Sequence, residues 1–412
     1  MMHLRNIFRP VHCNRPAMHR TAGLAAAWLF ALLMLLASCE RHPPLHLHEG
    51  PGIDLEIPII DLELDVYWDY ENEFGFGYDW RAEWYYGWDS IDVMAFGPLE
   101  YVEPSVFNVR RYYTKDNPDA PHSIVYPHTI EGTMLRASYD FGFWDILAWN
   151  DIETMDGVQS LVFDEETSLD YVTASTNQTM HSARYSLPKY TRSFYQPELL
   201  YAGYDEDEEI DSLLTGFERR WVDEGREVWY KKLELPLYPC TYIYLTQVIL
   251  HHNNGKITGV DGAANLSGMA RSVTLNNGIA GSDPITVNYN VRFKRNCDMK
   301  GEPVDIAGGR LLTFGMCNLN PNRIDSRSES YARISEIDPA RHYIDVDMQF
   351  NNGMDSTFVF DVTDQVRKRY KGGVLTIELD MDTVPVPRRN GGSAFDAVVK
   401  DFEDGGTHEF EM

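Results

Sequence analysis

The chain has 412 residues, enough for two or three domains of ordinary size and ample to bury a core. Apolar residues make up 43%, charged residues 24% and aromatics 13%, a globular composition rich in Tyr and Trp that excludes a disordered or collagen-like chain. Asp plus Glu number 63 against 36 Lys plus Arg, and the net charge of −27 argues against nucleic-acid binding and against electrostatic docking on anionic lipid.

The charge is uneven from the first residues. Residues 1–38 carry Arg5, Arg9, Arg15 and Arg20 and no acid, so the chain from Cys39 onward holds 32 bases against 63 acids, a net of −31. Arg20 precedes an apolar run over 22–37 that is too short to span a bilayer comfortably and closes on Leu36-Ala37-Ser38-Cys39. This pattern is that of a lipoprotein signal peptide over 1–38. Small residues at 37 and 38 suit a narrow peptidase site, and the thiol of Cys39 is the nucleophile that would be acylated, leaving a palmitate-bearing N-terminus. Translation starting at Met18 would also give a complete signal. Residues 39–52 hold three prolines and His42, His46 and His48, and read as a linker with no fixed metal geometry.

From residue 53 the pattern alternates. Ile53, Leu55 and Ile57 share one phase, and Ile60, Leu62, Leu64, Val66 and Trp68 the other, which predicts a strand with a break near Pro58. Further strands are expected at 90–96, 123–126, 134–139, 143–149, 160–163 and 185–190, with a helix over 208–221 from the spacing of Ile210, Leu213, Leu214 and Phe217. A second set starts at 228–235 and continues at 241–250, 272–275, 285–293, 310–317, 343–350, 356–360, 373–379 and 407–411. A short helix over 363–370 would use Thr363 as its cap. Many short strands with frequent turns predict an all-β chain of two sandwiches, over 53–227 and 228–412.

Chemistry-bearing motifs are scarce. There is no phosphate loop, no dinucleotide fingerprint, no His-Glu-x-x-His and no Gly-x-Ser-x-Gly, so no cofactor, metal or catalytic residue is expected. The run 204–209 has the charge of a calcium loop without its central Gly, and reads as a solvated loop. Cys240, Cys297 and Cys317 are an odd set, so at most one disulfide can form among them. Paired carboxylates leave a glycoside hydrolase conceivable, since 63 acids offer many pairs and only geometry selects one. Aromatic residues crowd 67–88. Trp80, Trp84 and Trp88, four apart, together with Tyr85 and Tyr86, form either core or an exposed platform that could stack on sugar rings or anchor a partner.

Several segments resemble the fimbrillin-like lipoproteins of Gram-negative anaerobes. Residues 139–150 (Tyr-Asp-Phe-Gly-Phe-Trp-Asp-Ile-Leu-Ala-Trp-Asn) are similar to a strand motif of that family. Residues 265–270 with Val273, 312–315, 360–364 and the acidic C-terminal strand are similar to its second-domain signatures. The likeness is to a branch of unknown function rather than to a stalk subunit. It implies two transthyretin-like β-sandwiches, a lipid anchor at Cys39 in the outer membrane facing the cell surface, and a non-enzymatic role in adhesion or as a fimbrial tip or anchor. Partners would be other fimbrial subunits joined by strand addition, or an extracellular glycan or protein. In stalk subunits of the family, cleavage after the first strand precedes strand exchange. Here the first arginine beyond that strand is Arg81, inside the aromatic segment, and the chain stops soon after its last expected strand, so a cap, tip or unpolymerised lipoprotein is expected.

Overall fold

The structure is a computed structural model that describes residues 58–399 apart from 69–75, 98, 100–103, 116, 120–121, 123, 153–159, 165–171, 180–192, 224, 325–333, 335 and 388–396. The expected signal peptide, Cys39, the linker and the strands at 185–190 and 407–411 lie outside the described residues. Among the described residues, no helix is long and apolar enough to cross a membrane.

The protein is all-β. The chain forms β1 (Ile60–Trp68), a 3-10 turn (Trp80–Glu83), helix α1 (Ser90–Phe96), β2 (Val106–Thr114), β3 (Ile124–Glu131), β4 (Met134–Tyr139) and β5 (Gly142–Asn150). It continues through β6 (Leu161–Asp164), β7 (Thr173–Thr176), β8 (Ser193–Tyr195), β9 (Tyr201–Ile210), β10 (Glu218–Asp223) and β11 (Arg226–Pro239). Beyond these come β12 (Tyr242–His251), β13 (Ile257–Ala270), β14 (Ser272–Thr274), β15 (Pro284–Met299), β16 (Glu302–Thr313) and β17 (Tyr343–Phe350). The last elements are β18 (Asp355–Asp361), helix α2 (Thr363–Lys368), β19 (Gly373–Asp380) and β20 (Ala397–Val399). One sheet has the order β3-β2-β5-β9-β11-β1-β4 with β10 beside β11. A second has the order β19-β12-β16-β15-β13-β17-β18-β20 with β8 beside β15, and β14-β7-β6 form a small third.

Each large sheet curls because one long strand serves two layers. β11 runs parallel to β1 from Ile60↔Trp229 to Trp68↔Leu237, and meets β9 only at Tyr238 and Pro239. β15 pairs with β13 up to Asn290 and with β16 from Val291, and its register slips between Lys294 and Cys297. Such an irregularity bends a strand and raises its twist, which lets it pass from one layer to the next. Period-two alternation then sets the cores. Ile60, Leu62, Leu64 and Val66 are buried with Phe107, Val109, Trp144, Ile146 and Leu237 in the first. Tyr244, Val248, Leu266, Val287, Leu311, Val346 and Phe358 fill the second. Each such side chain contributes roughly 1.5–3 kcal/mol by leaving water. A third cluster, with Leu147, Trp149, Leu161, Ala174, Phe314 and Cys317, joins residues of all three sheets.

Five local expectations are corrected. Residues 90–96 are helical rather than extended, because Asp89 accepts from the backbone N–H of Ile91 and Asp92 while Asp92 accepts from the N–H of Asp89. That capping box outweighs a weak apolar alternation. Residues 208–221 are not a helix: β9 ends at Ile210, Asp211 turns the chain by accepting from Leu213 and Leu214, and β10 follows. Leu214 at φ 51° and Gly216 at φ 83° are incompatible with a continuous helix there. The acidic run 204–209 lies in β9 instead of a loop. Thr363 is the first residue of α2 and not its cap, and Asp361 accepts from its N–H. The strand expected to open the second sandwich at 228–235 lies within β11, in the first sheet.

Cys240, Cys297 and Cys317 form no disulfide among the described residues. Burial pushes the Cys240 thiol up to about 12, so it behaves as a small apolar side chain.

One buried acid makes stability depend on pH. Asp345 on β17 accepts from the Asn265 amide at 2.7 Å, yet burial holds its carboxyl up at about 7. An unfolded Asp ionises near about 3.9. Between these values the unfolded chain loses its proton first, so the native state loses stability as pH rises through that window. Asp345→Asn is therefore expected to raise the melting temperature more at pH 8.5 than at pH 5, where only part of the penalty has developed. An equal gap at both pH values would refute this.

Candidate functional site

The aromatic segment that follows β1 lies on the face of β12, β16 and β19 opposite to the second core. β12 explains why a segment is needed there. Its first nine residues, Tyr242 through Leu250, are all buried, apolar on both faces except for Thr246 and Gln247, and such a strand must be covered on both sides. Ile243, Leu245 and Ile249 of β12 therefore pack with Val304, Ile306 and Val374 against Phe76, Trp80, Trp84, Tyr86 and Phe96.

The five residues expected as a ligand platform are thus not equivalent. Trp80, Trp84 and Tyr86 are 3%, 9% and 2% exposed, and only Tyr85 and Trp88 are half-buried. The 3-10 turn ends at Glu83, so the three tryptophans share no helix face. Their rings contact one another along an extended chain: Trp84 lies 5.4 Å from Tyr86 and 6.4 Å from Trp88, and Trp88 lies 5.4 Å from Phe96. A face buried against a sheet cannot stack on a sugar ring. Close approach is built into the sheet as well. A Cβ on Gly308 of β16 would sit 2.5 Å from the Tyr86 ring, so glycine is required beneath it.

Polar side chains fasten the segment. The buried amide of Gln247 on β12 accepts from the N–H of Tyr85 at 3.0 Å and of Tyr86 at 3.3 Å. It donates to the Glu83 carbonyl at 2.7 Å and to the Thr376 hydroxyl at 2.9 Å. Arg369 reaches both Glu83 oxygens, at 2.9 and 2.8 Å, and stacks on Tyr78 at 3.8 Å. At the far end Asp92, fully buried, accepts from the Tyr86 hydroxyl at 3.0 Å and contacts both Arg292 and Lys294 of β15. Burial, reinforced by the neighbouring Asp92 charge, drives the Tyr86 hydroxyl far above the usual phenol range. Asp89 is held well below the usual carboxylate range, first by the Asp92 N–H and also by Lys294.

No motif in the sequence marks a second cluster. Asp145 of β5 accepts from the Tyr204 hydroxyl at 2.7 Å and the Asp207 N–H at 2.8 Å, with His122 Nε2 at 2.7 Å. These donors hold the carboxyl low although burial opposes it. Asp207 has φ 62°, and the register of β5 with β9 shifts between Trp144 and Ile146. The cluster thereby ties the acidic run to the sheet. Elsewhere β3 and β4 end the first sheet, each hydrogen-bonded to one neighbouring strand among the described residues.

No family model and no curated protein matches the chain. Solved structures similar to it include one described as a "putative adhesin" from Bacteroides ovatus, at 12% identity and TM-score 0.42, covering 79% of this chain and 94% of that one. Another "putative adhesin", from Bacteroides thetaiotaomicron, has 10% identity and TM-score 0.38 over 79% of this chain and 92% of that one. The fimbrial anchor protein Mfa2 from Porphyromonas gingivalis has 11% identity and TM-score 0.35 over 78% of this chain and 90% of that one.

Proposed function

We propose that the chain is a non-enzymatic surface lipoprotein, held in the outer membrane by acylated Cys39, that works in adhesion or fimbrial assembly as a tip, cap or anchor component. The observation that carries this reading is the pair of end strands, β3 and β4, each hydrogen-bonded to a single neighbour among the described residues, on an all-β fold behind a lipobox. An unpaired edge offers a row of backbone donors and acceptors to a partner strand, which supports joining a fimbrial subunit by strand addition. The net charge of −31 after the leader is removed opposes adsorption to anionic lipid, so acyl chains would have to supply the attachment. The glycan-binding alternative has less support, since three of its five aromatic residues are core.

In cells the wild-type protein is expected to take up labelled palmitate and sediment with the outer membrane. Cys39→Ala should leave it unlabelled and outside that fraction. Labelling that survives the substitution would sink the anchor. If cells lacking the gene keep the same fimbriae and attach equally well, the adhesion reading falls instead.

A further inference from the structure

We propose that His252, Asp380 and Asp382 form a surface site for a borderline transition dication of the zinc class. His252 follows β12, Asp380 ends β19 and Asp382 lies in the turn just after it, and β19 runs parallel to β12 with His251 opposite Asp380. His252 Nδ1 lies 3.0 Å from Asp380 Oδ1 and 3.9 Å from Asp382 Oδ2, and the three ligand atoms all stand within 4.8 Å of one another. Ligands about 2.0–2.2 Å from a tetrahedral zinc ion stand roughly 3.3–3.6 Å apart, so a rotation of the exposed Asp382 side chain toward the other two completes the set. The imidazole nitrogen selects this class over calcium and magnesium, which prefer oxygen alone.

Both ligand-bearing segments are held before any ion arrives. Met381 N–H donates to the His251 carbonyl at 2.9 Å. The Lys256 ammonium binds the carbonyls of Met381 and Val384, which fixes the turn that carries Asp382. His252 has φ 52°, within the turn that leads from β12 to β13. Beside it, His251 Nε2 faces Glu378 Oε2 at 3.0 Å, with the two imidazoles 6.5 Å apart, so a second histidine–carboxylate pair adjoins the first. The remaining coordination positions face solvent, where water would fill them.

The test is zinc titration of the mature protein by calorimetry, in a background where His42, His46 and His48 are Ala so that the linker does not compete. One zinc per chain is expected, with a rise in melting temperature. Asp380→Asn with Asp382→Asn should weaken binding at least about tenfold. His252→Asn should do the same and remove the thermal shift. Asn tolerates the left-handed backbone, so this variant should keep the fold. No zinc bound in the linker background, unchanged affinity in these variants, or calcium bound in preference to zinc would each overturn the proposal.

Discussion

Replacing Asp92 with Ala is expected to lower stability by about 3–5 kcal/mol, the usual cost of removing one member of a buried ion pair. Its side chain is fully buried, and Arg292 and Lys294, 26% and 15% exposed, would lose their buried counter-charge and keep only the half-exposed Asp89, at 3.3 and 3.2 Å. The Tyr86 hydroxyl and the Asp89 N–H would lose an acceptor as well, and α1 would lose its capping box. The Glu83–Arg369 pair at the other end of the segment provides the contrast. Its members are 45% and 29% exposed, and such pairs contribute about 0–1 kcal/mol. Glu83→Gln should therefore cost far less than Asp92→Ala. Thermal unfolding followed by Trp emission checks both, and a drop below about 2 °C for Asp92→Ala would show that the buried pair is not what holds the segment.

Gln247→Leu is expected to release the aromatic segment at nearly constant side-chain volume. The amide answers four groups at once: two N–H donors and one carbonyl in the segment 83–86, and the hydroxyl of Thr376 on β19. A buried polar group left without a partner costs about 1–3 kcal/mol, so even with partial relief by water the loss should be about 3–5 kcal/mol. The effect should be local first. Limited proteolysis near 68–90 should accelerate and Trp emission shift to the red before the sandwiches unfold. Cleavage that stays as slow as in the wild type would refute the clamp. Releasing the segment would also uncover Ile243, Leu245 and Ile249 of β12.

How far the fold can be read from residues depends on how local the cause is. The alternation of Ile60, Leu62, Leu64 and Val66 announces a strand, because burial of one face is written into a period of two. The continuous apolar run of β12 announces burial on both faces but not what covers the second one. Asp89 and Asp92, three residues apart, carry the helix signal for 90–96, and it outweighs the weak apolar alternation there. At 208–221 the apolar spacing was misleading, since Ile210 and Leu214 reach the core from the two ends of a turn while Leu213 is 80% exposed.

The candidate site was legible only as a choice between core and platform. Side-chain types at 76–88 suit either, and the decision rests with residues more than 150 positions away: Gln247, Arg292, Lys294, Gly308 and Arg369. Partners so distant in sequence leave no spacing to detect. The same holds for His252 with Asp380 and Asp382, which become neighbours only because β12 and β19 pair in parallel.

By itself the sequence determined the all-β class, the basic leader that ends at a candidate acylation site and the acidity of the rest, because each depends on composition or on periods of a few residues. Tertiary structure alone decided that the tryptophan-rich segment is a cover for β12, that an acidic run is a strand tied down by Asp145, and that two long strands each serve two layers. These depend on burial and pairing between distant parts of the chain, where the cost of an uncovered apolar face or an unpaired charge selects one arrangement among many that local pattern permits.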